Sequence, residues 1–413
     1  MLSEKDFGVN NISVVLIGLS SYGTGYARSL IEQGAAHNAR LAGIADPYAV
    51  KNPYWPVLEE HKIPRYDTLQ EFIASHQADL AVIASPIHLH CPQTCDVLGT
   101  GRPVLCEKPV AGTIQEVQRM IAAREKAGKF AAIGYNWSFS EEIQALKHDI
   151  MTGLFGRPMR LKTITAPLRT LTYYKRNNWA GKLRMPDGAW VLDSPVNNAT
   201  AHYLHNMFYI LGSSVDKSAL PAEVTAELYR ANDIENYDTA CLRAKTHDGI
   251  EIMFVTSHAV NQSLPIRCEF VFEQAKVEFQ AGAGLRAVFN DGHVKEYVIP
   301  GYDQHFTKLW QCVDAIRNGG TPVCGLEAAK AQTLCMNGAQ ESMPEITSFP
   351  PAMIQHRQNE KGDEYVVAEG LTEALPACYE SWKLPSEHGF PWAKAGRRVD
   401  LKSYTWYPGG KRP

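Results

Sequence analysis

Apolar and polar positions alternate in blocks along the first third of the chain. Ile12-Ser13-Val14-Val15-Leu16-Ile17 is a β-branched run that stops at Gly18, and a helical period follows from Thr24 to Glu32. The unit then recurs. Arg40 to Ala45 predicts a strand, Thr68 to Ser75 a helix, Asp79 to Ala84 a strand, and a further helix runs to about Gly99. Pro103 to Cys106 predicts a strand, Thr113 to Ala127 a helix, and Phe130 to Gly134 a last strand. Short, nearly unbroken apolar runs are the mark of strands buried on both faces. Their alternation with helices over about 135 residues predicts an α/β fold with a doubly wound parallel sheet and right-handed crossovers.

From Tyr135 the pattern changes. Glu141 to Met151 predicts a helix ended by Gly153, and Arg157 to Ala166 a strand. Leu204, Met207, Phe208 and Leu211 recur at helical spacing, which puts His202, His205, Asn206 and Tyr209 on the opposite face. Val224 to Ile299 reads as strands and tight turns, a large and mostly antiparallel sheet, followed by helices over Asp303 to Asn318 and Leu326 to Glu341. The segment after Met343 carries Pro350-Pro351, Trp382, Trp392 and Trp406, and its aromatics argue against disorder. These shifts predict a dinucleotide-binding domain over 1–134, an α+β substrate and oligomerisation domain over 135–342, and an ordered extension over 343–413 packing on its own or a neighbouring subunit.

Composition narrows the partners. The 413 residues hold 41 basic and 44 acidic side chains, a net charge of −3 without long like-charge runs, so no footprint for nucleic acid or an anionic membrane is present. The first residues, Met1-Leu2-Ser3-Glu4-Lys5-Asp6, carry acids where a secretory signal would be basic. Nine cysteines with no C-x-x-C pair resemble neither a disulfide framework nor a zinc site, and His202-x-x-His205 lacks a third ligand at a convincing spacing. The reading is a cytoplasmic protein with no metal and a small polar ligand.

The strand ends carry the chemistry. Gly18-Leu19-Ser20-Ser21-Tyr22-Gly23 follows the first strand as a dinucleotide turn with Ser20 in place of the second glycine, where a hydroxyl can bond to phosphate. Asp46 closes the second strand about 20 residues further on, where an acid accepts from the adenosine ribose diol and repels a 2′-phosphate. That favours NAD over NADP, although Lys51 leaves NADP open. Ser85-Pro86-Ile87-His88-Leu89-His90 ends another strand. Glu107-Lys108-Pro109 ends the next, delivering an acid and an ammonium at the carboxyl edge of the sheet.

In this order and spacing, the glycine turn, the strand-ending Asp46, Ala84-Ser85-Pro86-x-x-x-His90 and Glu107-Lys108-Pro109 resemble the Gfo/Idh/MocA family of NAD(P)-dependent oxidoreductases, from about Ile12 to about Ser342. The resemblance implies that Gly18, Ser20, Ser21, Tyr22, Gly23, Asp46, Ser85, Pro86, His90, Glu107, Lys108 and Asn136 bind the cofactor. It implies that Lys108 lies beside the nicotinamide and the reacting hydroxyl, and that an aspartate and a histidine of the second domain complete the catalytic group. Counting back from Gly212 gives His202 for that histidine, nine residues after Asp193 where the family has four, and counting forward from Asp193 gives Asn197. We take Lys108, Asp193 and His202 as catalytic across a five-residue insertion, with Tyr135, Trp190, Asn197 and His205 facing substrate.

Trp137-Ser138 stands where the family often has an arginine before phenylalanine, which points to a neutral, aromatic or glycosidic substrate. The leading expectation is oxidation of a secondary hydroxyl of a sugar, cyclitol or glycoside by hydride transfer to NAD. An NAD-dependent redox-neutral glycosidase comes second, and a non-catalytic NAD-binding sensor a distant third. A homodimer or homotetramer formed through the open face of the antiparallel sheet is expected.

Overall fold

The computed structural model describes residues 11–297 and 305–411, and these divide into two compact units. The first unit takes residues 11–111, 116–140 and 305–327, and the second takes 112–115, 141–297 and 328–411. The stretch 305–327, expected with the second domain, belongs to the first unit, and the extension belongs to the second. The acidic start at Met1–Asp6 and the helix start expected at Asp303 lie outside the described residues.

In the first unit, strands β1 (Ile12–Ile17), β2 (Ala39–Ala45), β3 (Arg65–Tyr66), β4 (Leu80–Ile83), β5 (Val104–Cys106) and β6 (Ala131–Ile133) form one parallel sheet. Its order is β3-β2-β1-β4-β5-β6. Helices α1 (Tyr22–Gln33), α2 (Trp55–Glu60), α3 (Leu69–Ser75), α4 (Ile87–Gly99) and α5 (Ile114–Ala127) accompany the strands. All residues of β1 and β4 are buried, as their nearly unbroken apolar runs require, and the one polar side chain, Ser13, donates to Asp79 at 2.6 Å. The order reverses between β1 and β4, so the crevice beyond the carboxyl ends of those strands is the place where such sheets take ligands.

The second unit is built on helix α6 (Glu141–Met151), β7 (Pro158–Ala166), the short α7 (Leu171–Lys175), α8 (Ala201–Ile210) and a large sheet. Strands β8 (Pro221–Arg230), β9 (Thr239–Thr246), β10 (Glu251–Ser257), β11 (Leu264–Phe272), β12 (Ala275–Gln280), β13 (Gly284–Phe289) and β14 (Val294–Tyr297) follow in the chain. The sheet order β14-β13-β12-β11-β7-β10-β9-β8 inserts β7 between β11 and β10. The β7–β10 pairing is parallel and breaks what would otherwise be an antiparallel meander. Thr163 of β7 donates to the Met207 sulfur of α8, so α8 lies on one face of this sheet.

After α9 (Thr307–Asn318) and α10 (Leu326–Ser342), the chain adds β15 (Thr347–Ser348), a hairpin of β16 (Ile354–Gln358) and β17 (Glu364–Ala368), α11 (Leu371–Ser381) and β18 (Val399–Asp400). Strands β15 and β18 both pair with β8. Helix α11 packs on β7 and β10 from the face opposite α8. There Lys162, although only 3% exposed, donates to the Tyr379 carbonyl at 3.2 Å and lies 4.3 Å over the Tyr379 ring.

The face expected to be open for a second subunit is therefore covered over β7 and β10 by the chain's own extension. Its remainder, on β11 to β13, carries a charged ladder in which Lys276 and Arg286 both pair with Glu278. No helix among the described residues is long and apolar enough to cross a membrane.

Glu227 of β8 fastens the extension. Its fully buried carboxylate accepts from the Tyr229 hydroxyl at 2.6 Å, the Ser386 amide at 3.0 Å and the Ser386 hydroxyl. Glu227→Ala leaves both Ser386 donors without an acceptor and is expected to cost about 2–4 kcal/mol. Urea unfolding measures this, and an unchanged midpoint would contradict the anchoring.

Candidate functional site

The glycine turn after β1 is closed against the end of β4. A Cβ at Gly18, whose φ is +87°, would lie 2.9 Å from the Ala84 carbonyl oxygen, and one at Gly23 would lie 2.1 Å from the Gly18 oxygen. Only glycine fits either position, and so the first and third roles of a dinucleotide turn are filled. Ser20 and Ser21 are exposed, and no side chain caps the amino end of α1; the Gly23 N–H donates to the Ser20 carbonyl at 3.1 Å, and the other N–H groups of the first turn are left to an anion such as a pyrophosphate. These residues fit NAD.

Asp46 steadies the turn: its oxygens accept from the Leu19 amide at 2.8 Å and the Tyr48 amide at 2.7 Å. A carboxylate has lone pairs left over for a ribose diol. Ser85 bonds to Gln93 at 2.5 Å, and Pro86 precedes α4.

His90, expected at the cofactor, is instead 1% exposed. Its Nδ1 lies 2.7 Å from the Pro109 carbonyl and its Nε2 2.9 Å from the Ser85 carbonyl, so it staples the two cofactor-side turns together from beneath. Tyr135, expected to face substrate, is fully buried in the first unit.

Glu107 and Lys108 sit at the end of β5. Glu107 is buried, and its Oε1 accepts from Tyr26 at 2.7 Å and forms an ion pair with Lys308 of α9. Burial pushes its carboxyl up, but the Lys308 charge and hydrogen bond, with the Tyr26 bond, outweigh burial and hold it below the usual range. Lys308 also donates to the Gly134 carbonyl at 3.1 Å. The half-buried Lys108 follows, its amide donating to Glu107 Oε2 at 3.2 Å and its peptide bond to Pro109 cis.

The Asn136 side-chain amide lies 3.2 Å from the Tyr22 hydroxyl, and His305 joins them, 3.0 Å from the Asn136 amide. Sequence reasoning missed Lys308, Tyr26 and His305. A lysine and a histidine at the start of an amphipathic helix carry no signal without the fold.

In the second unit, Pro195–Ala199, between Asp193 and His202, form a π-helical turn, with the Ser194 hydroxyl accepting from the Asn197 amide at 3.2 Å. Asp193 is 2% exposed, accepts from the Gly181 amide at 2.7 Å and the Asn198 amide at 2.8 Å, and follows Leu192 at a left-handed φ of 48°. His202 stands half-buried in the first turn of α8.

The other substrate candidates turn inward. Asn197 is fully buried and donates to the Val191 and Leu192 carbonyls at 3.3 and 3.2 Å, so it shapes the loop before Asp193. Trp190 is half-buried, with the Arg184 guanidinium 3.5 Å over its ring and Tyr407 edge-on to it. His205 is fully buried against Tyr209, because α8 is covered on both sides: Met207 meets β7, and Tyr209 meets Gln144 and Lys147 of α6.

Comparison with known proteins supports the resemblance. Residues 12–135 match the family model GFO_IDH_MocA, described as an oxidoreductase family with an NAD-binding Rossmann fold. The rhizopine catabolism protein MocA of Rhizobium meliloti is 30% identical over 34% of this chain and 43% of its own length. Inositol 2-dehydrogenase of Burkholderia ambifaria is 22% identical over 81% of this chain and 96% of its own. Among solved structures, the WlbA dehydrogenase of Bordetella pertussis, in complex with NADH and UDP-GlcNAcA, superposes with a TM-score of 0.66 at 21% identity, covering 80% of this chain and 97% of its own.

Two buried histidines set the acid limit of the second unit. Burial drives His205 down to about 3, helped by the Lys147 charge. Burial likewise drives His258 down to about 3, against the bond to Pro167 and with the Arg169 and Arg176 charges. Between about pH 6.5 and pH 3 the unfolded chain holds protons that the folded chain refuses. Stability therefore rises with pH there, and acidification removes up to about 1.4 kcal/mol per pH unit for each histidine. Urea midpoints from pH 7.5 down to 4.5 are expected to fall, and His205→Phe to flatten the slope. An equal slope in that variant would contradict the assignment.

Proposed function

We propose, on the premise that residues 12–135 are the NAD-binding domain of a Gfo/Idh/MocA oxidoreductase, that the protein oxidises a secondary hydroxyl of a sugar, cyclitol or glycoside. The observation that carries this reading is the turn Glu107-Lys108-Pro109 at the end of β5, its glutamate clamped by Lys308 and Tyr26. A lysine whose neighbour on the chain is fixed in this way is pre-organised for chemistry. The names of the relatives, inositol 2-dehydrogenase and a rhizopine catabolism protein, agree with a polyhydroxylated substrate.

In this reading Gly18, Gly23 and the start of α1 hold the pyrophosphate, and Asp46 holds the adenosine ribose. Ser85, Pro86, Glu107 and Asn136 line the nicotinamide half. NAD, when bound, accepts the hydride. Lys108 donates a hydrogen bond to the reacting oxygen and stabilises the developing alkoxide. His202 takes the hydroxyl proton as general base. Asp193, immobilised by Gly181 and Asn198, keeps the loop before α8 in place and so positions the base.

The test is a panel of hexoses, inositols and glycosides assayed for NADH absorbance, with NAD and NADP in parallel. NAD-linked turnover of at least one panel member is expected. Lys108→Ala is expected to lower kcat by about 10²–10⁴-fold while leaving NAD affinity within a few fold. Unchanged turnover in that variant, or glycoside cleavage without net NADH, would contradict the proposal.

A further inference from the structure

The loop that leaves β7 gathers cationic and aromatic groups that none of the roles above uses. The guanidinium carbons of Arg176 and Arg169 lie 3.6 and 4.7 Å from the centre of one ring, Tyr173, and Arg176 lies 5.3 Å from that of Trp179. Arg176 donates to the Tyr173 carbonyl at 2.5 Å, and neither arginine forms an ion pair among the described residues. Two cations beside one ring, neither in ion-pair contact with a carboxylate, repel each other, and a bound anion would relieve that repulsion. The same loop lies within electrostatic reach of Asp193, which acts on Tyr173 and Tyr174, and of Tyr203 in the first turn of α8.

His258, at the end of β10, is 1% exposed and faces the same ring, with centroids 5.6 Å apart. Its Nδ1 lies 2.8 Å from the Pro167 carbonyl. A carbonyl can only accept, so Nδ1 carries the proton, and in the neutral imidazole Nε2 is then an acceptor. That Nε2 is buried and has no partner among the described residues, and neither has the Tyr174 hydroxyl. Buried acceptors in native proteins are seldom left unmatched. A ligand hydroxyl would satisfy this one.

The loop is held on both sides. The Arg169 amide donates to the His258 carbonyl at 3.2 Å, the Leu168 amide to Ser263 at 3.0 Å, and Thr170 bridges to Tyr365 in the hairpin of the extension. The backbone that carries Arg169 is therefore set in place before a ligand binds, which limits the ordering cost of binding.

We propose that Arg169, Tyr173, Tyr174, Arg176 and His258 form a subsite for the anionic end of a hydroxylated acid, a carbohydrate bearing a carboxylate or a phosphate ester. The guanidinium forks take the anion and His258 Nε2 takes a hydroxyl proton donor. This names the substrate class within the function proposed above and rests on that reading, and it replaces the neutral substrate that Trp137-Ser138 suggested.

Equilibrium binding to the full chain, by calorimetry in the presence of NAD, tests it with D-glucuronate, D-glucose 6-phosphate, D-glucose and acetate. At least one of the two anionic sugars is expected to bind ten-fold or more tighter than both glucose and acetate. Whichever of the two gains more identifies the anion. Arg176→Gln, at an exposed position that does not threaten the fold, and Arg169→Gln are each expected to remove most of that gain and leave glucose binding unchanged. Equal binding of glucose, equal binding of acetate, or a preference that survives both substitutions would overturn the subsite. NADH formation in the same samples separates the two claims. Arginine-dependent binding without any NADH would retain the subsite and refute the dehydrogenase. NADH from neutral sugars, indifferent to both arginines, would do the reverse.

Discussion

The ion pair between Glu107 and Lys308 is the constraint on which the first unit turns. Both side chains are buried, and taking two charges out of water costs several kcal/mol for each ion unless every remaining lone pair and proton finds a partner. Here Tyr26 and the Lys108 amide also donate to the carboxylate, and the Gly134 carbonyl accepts from the ammonium. The pair also explains the glycine that follows β6. A Cβ at Gly134 would lie 2.8 Å from Glu107 Oε1 and 3.0 Å from Lys308 Nζ, so any other residue would displace it. The turn bearing Lys108 is thus held by a residue 201 positions further along the chain.

A parallel economy governs the second unit. Its sheet has one face on α8 and the other, over β7 and β10, under α11. The extension does more than cover that face, because its hairpin pins the loop that carries Arg169 and Arg176. Lys162 shows how thoroughly the covering is done. It is a lysine on the sheet face away from α8, yet it is buried by Tyr379 and paired with Glu269 at 3.3 Å.

What the sequence could disclose follows from the range of each interaction. The parallel strands were legible because a strand buried on both faces must be apolar throughout, and the strand-end motifs because a glycine turn and a lysine before proline are contiguous. Lys308 was not legible, since a lysine in a helix reads as solvated until its distant partner is known. His205 misled for a related reason: a polar residue opposite an apolar stripe implies water, whereas α8 has protein on both sides. The π-helical turn over Pro195–Ala199 separated Asp193 from His202 by an irregularity that no periodicity announces. The covering of the sheet depended on where a segment with weak pattern, residues 343–413, comes to rest.

The Glu107–Lys308 pair holds the turn that bears Lys108 in shape. The most direct test of this is a double-mutant cycle read by urea unfolding and by the NAD dissociation constant. Lys308→Met alone leaves a buried carboxylate unpaired and is expected to cost about 3–5 kcal/mol and weaken NAD binding, while adding Glu107→Gln restores much of the stability. A Lys308→Met protein as stable as the parent, with NAD affinity intact, would contradict the account.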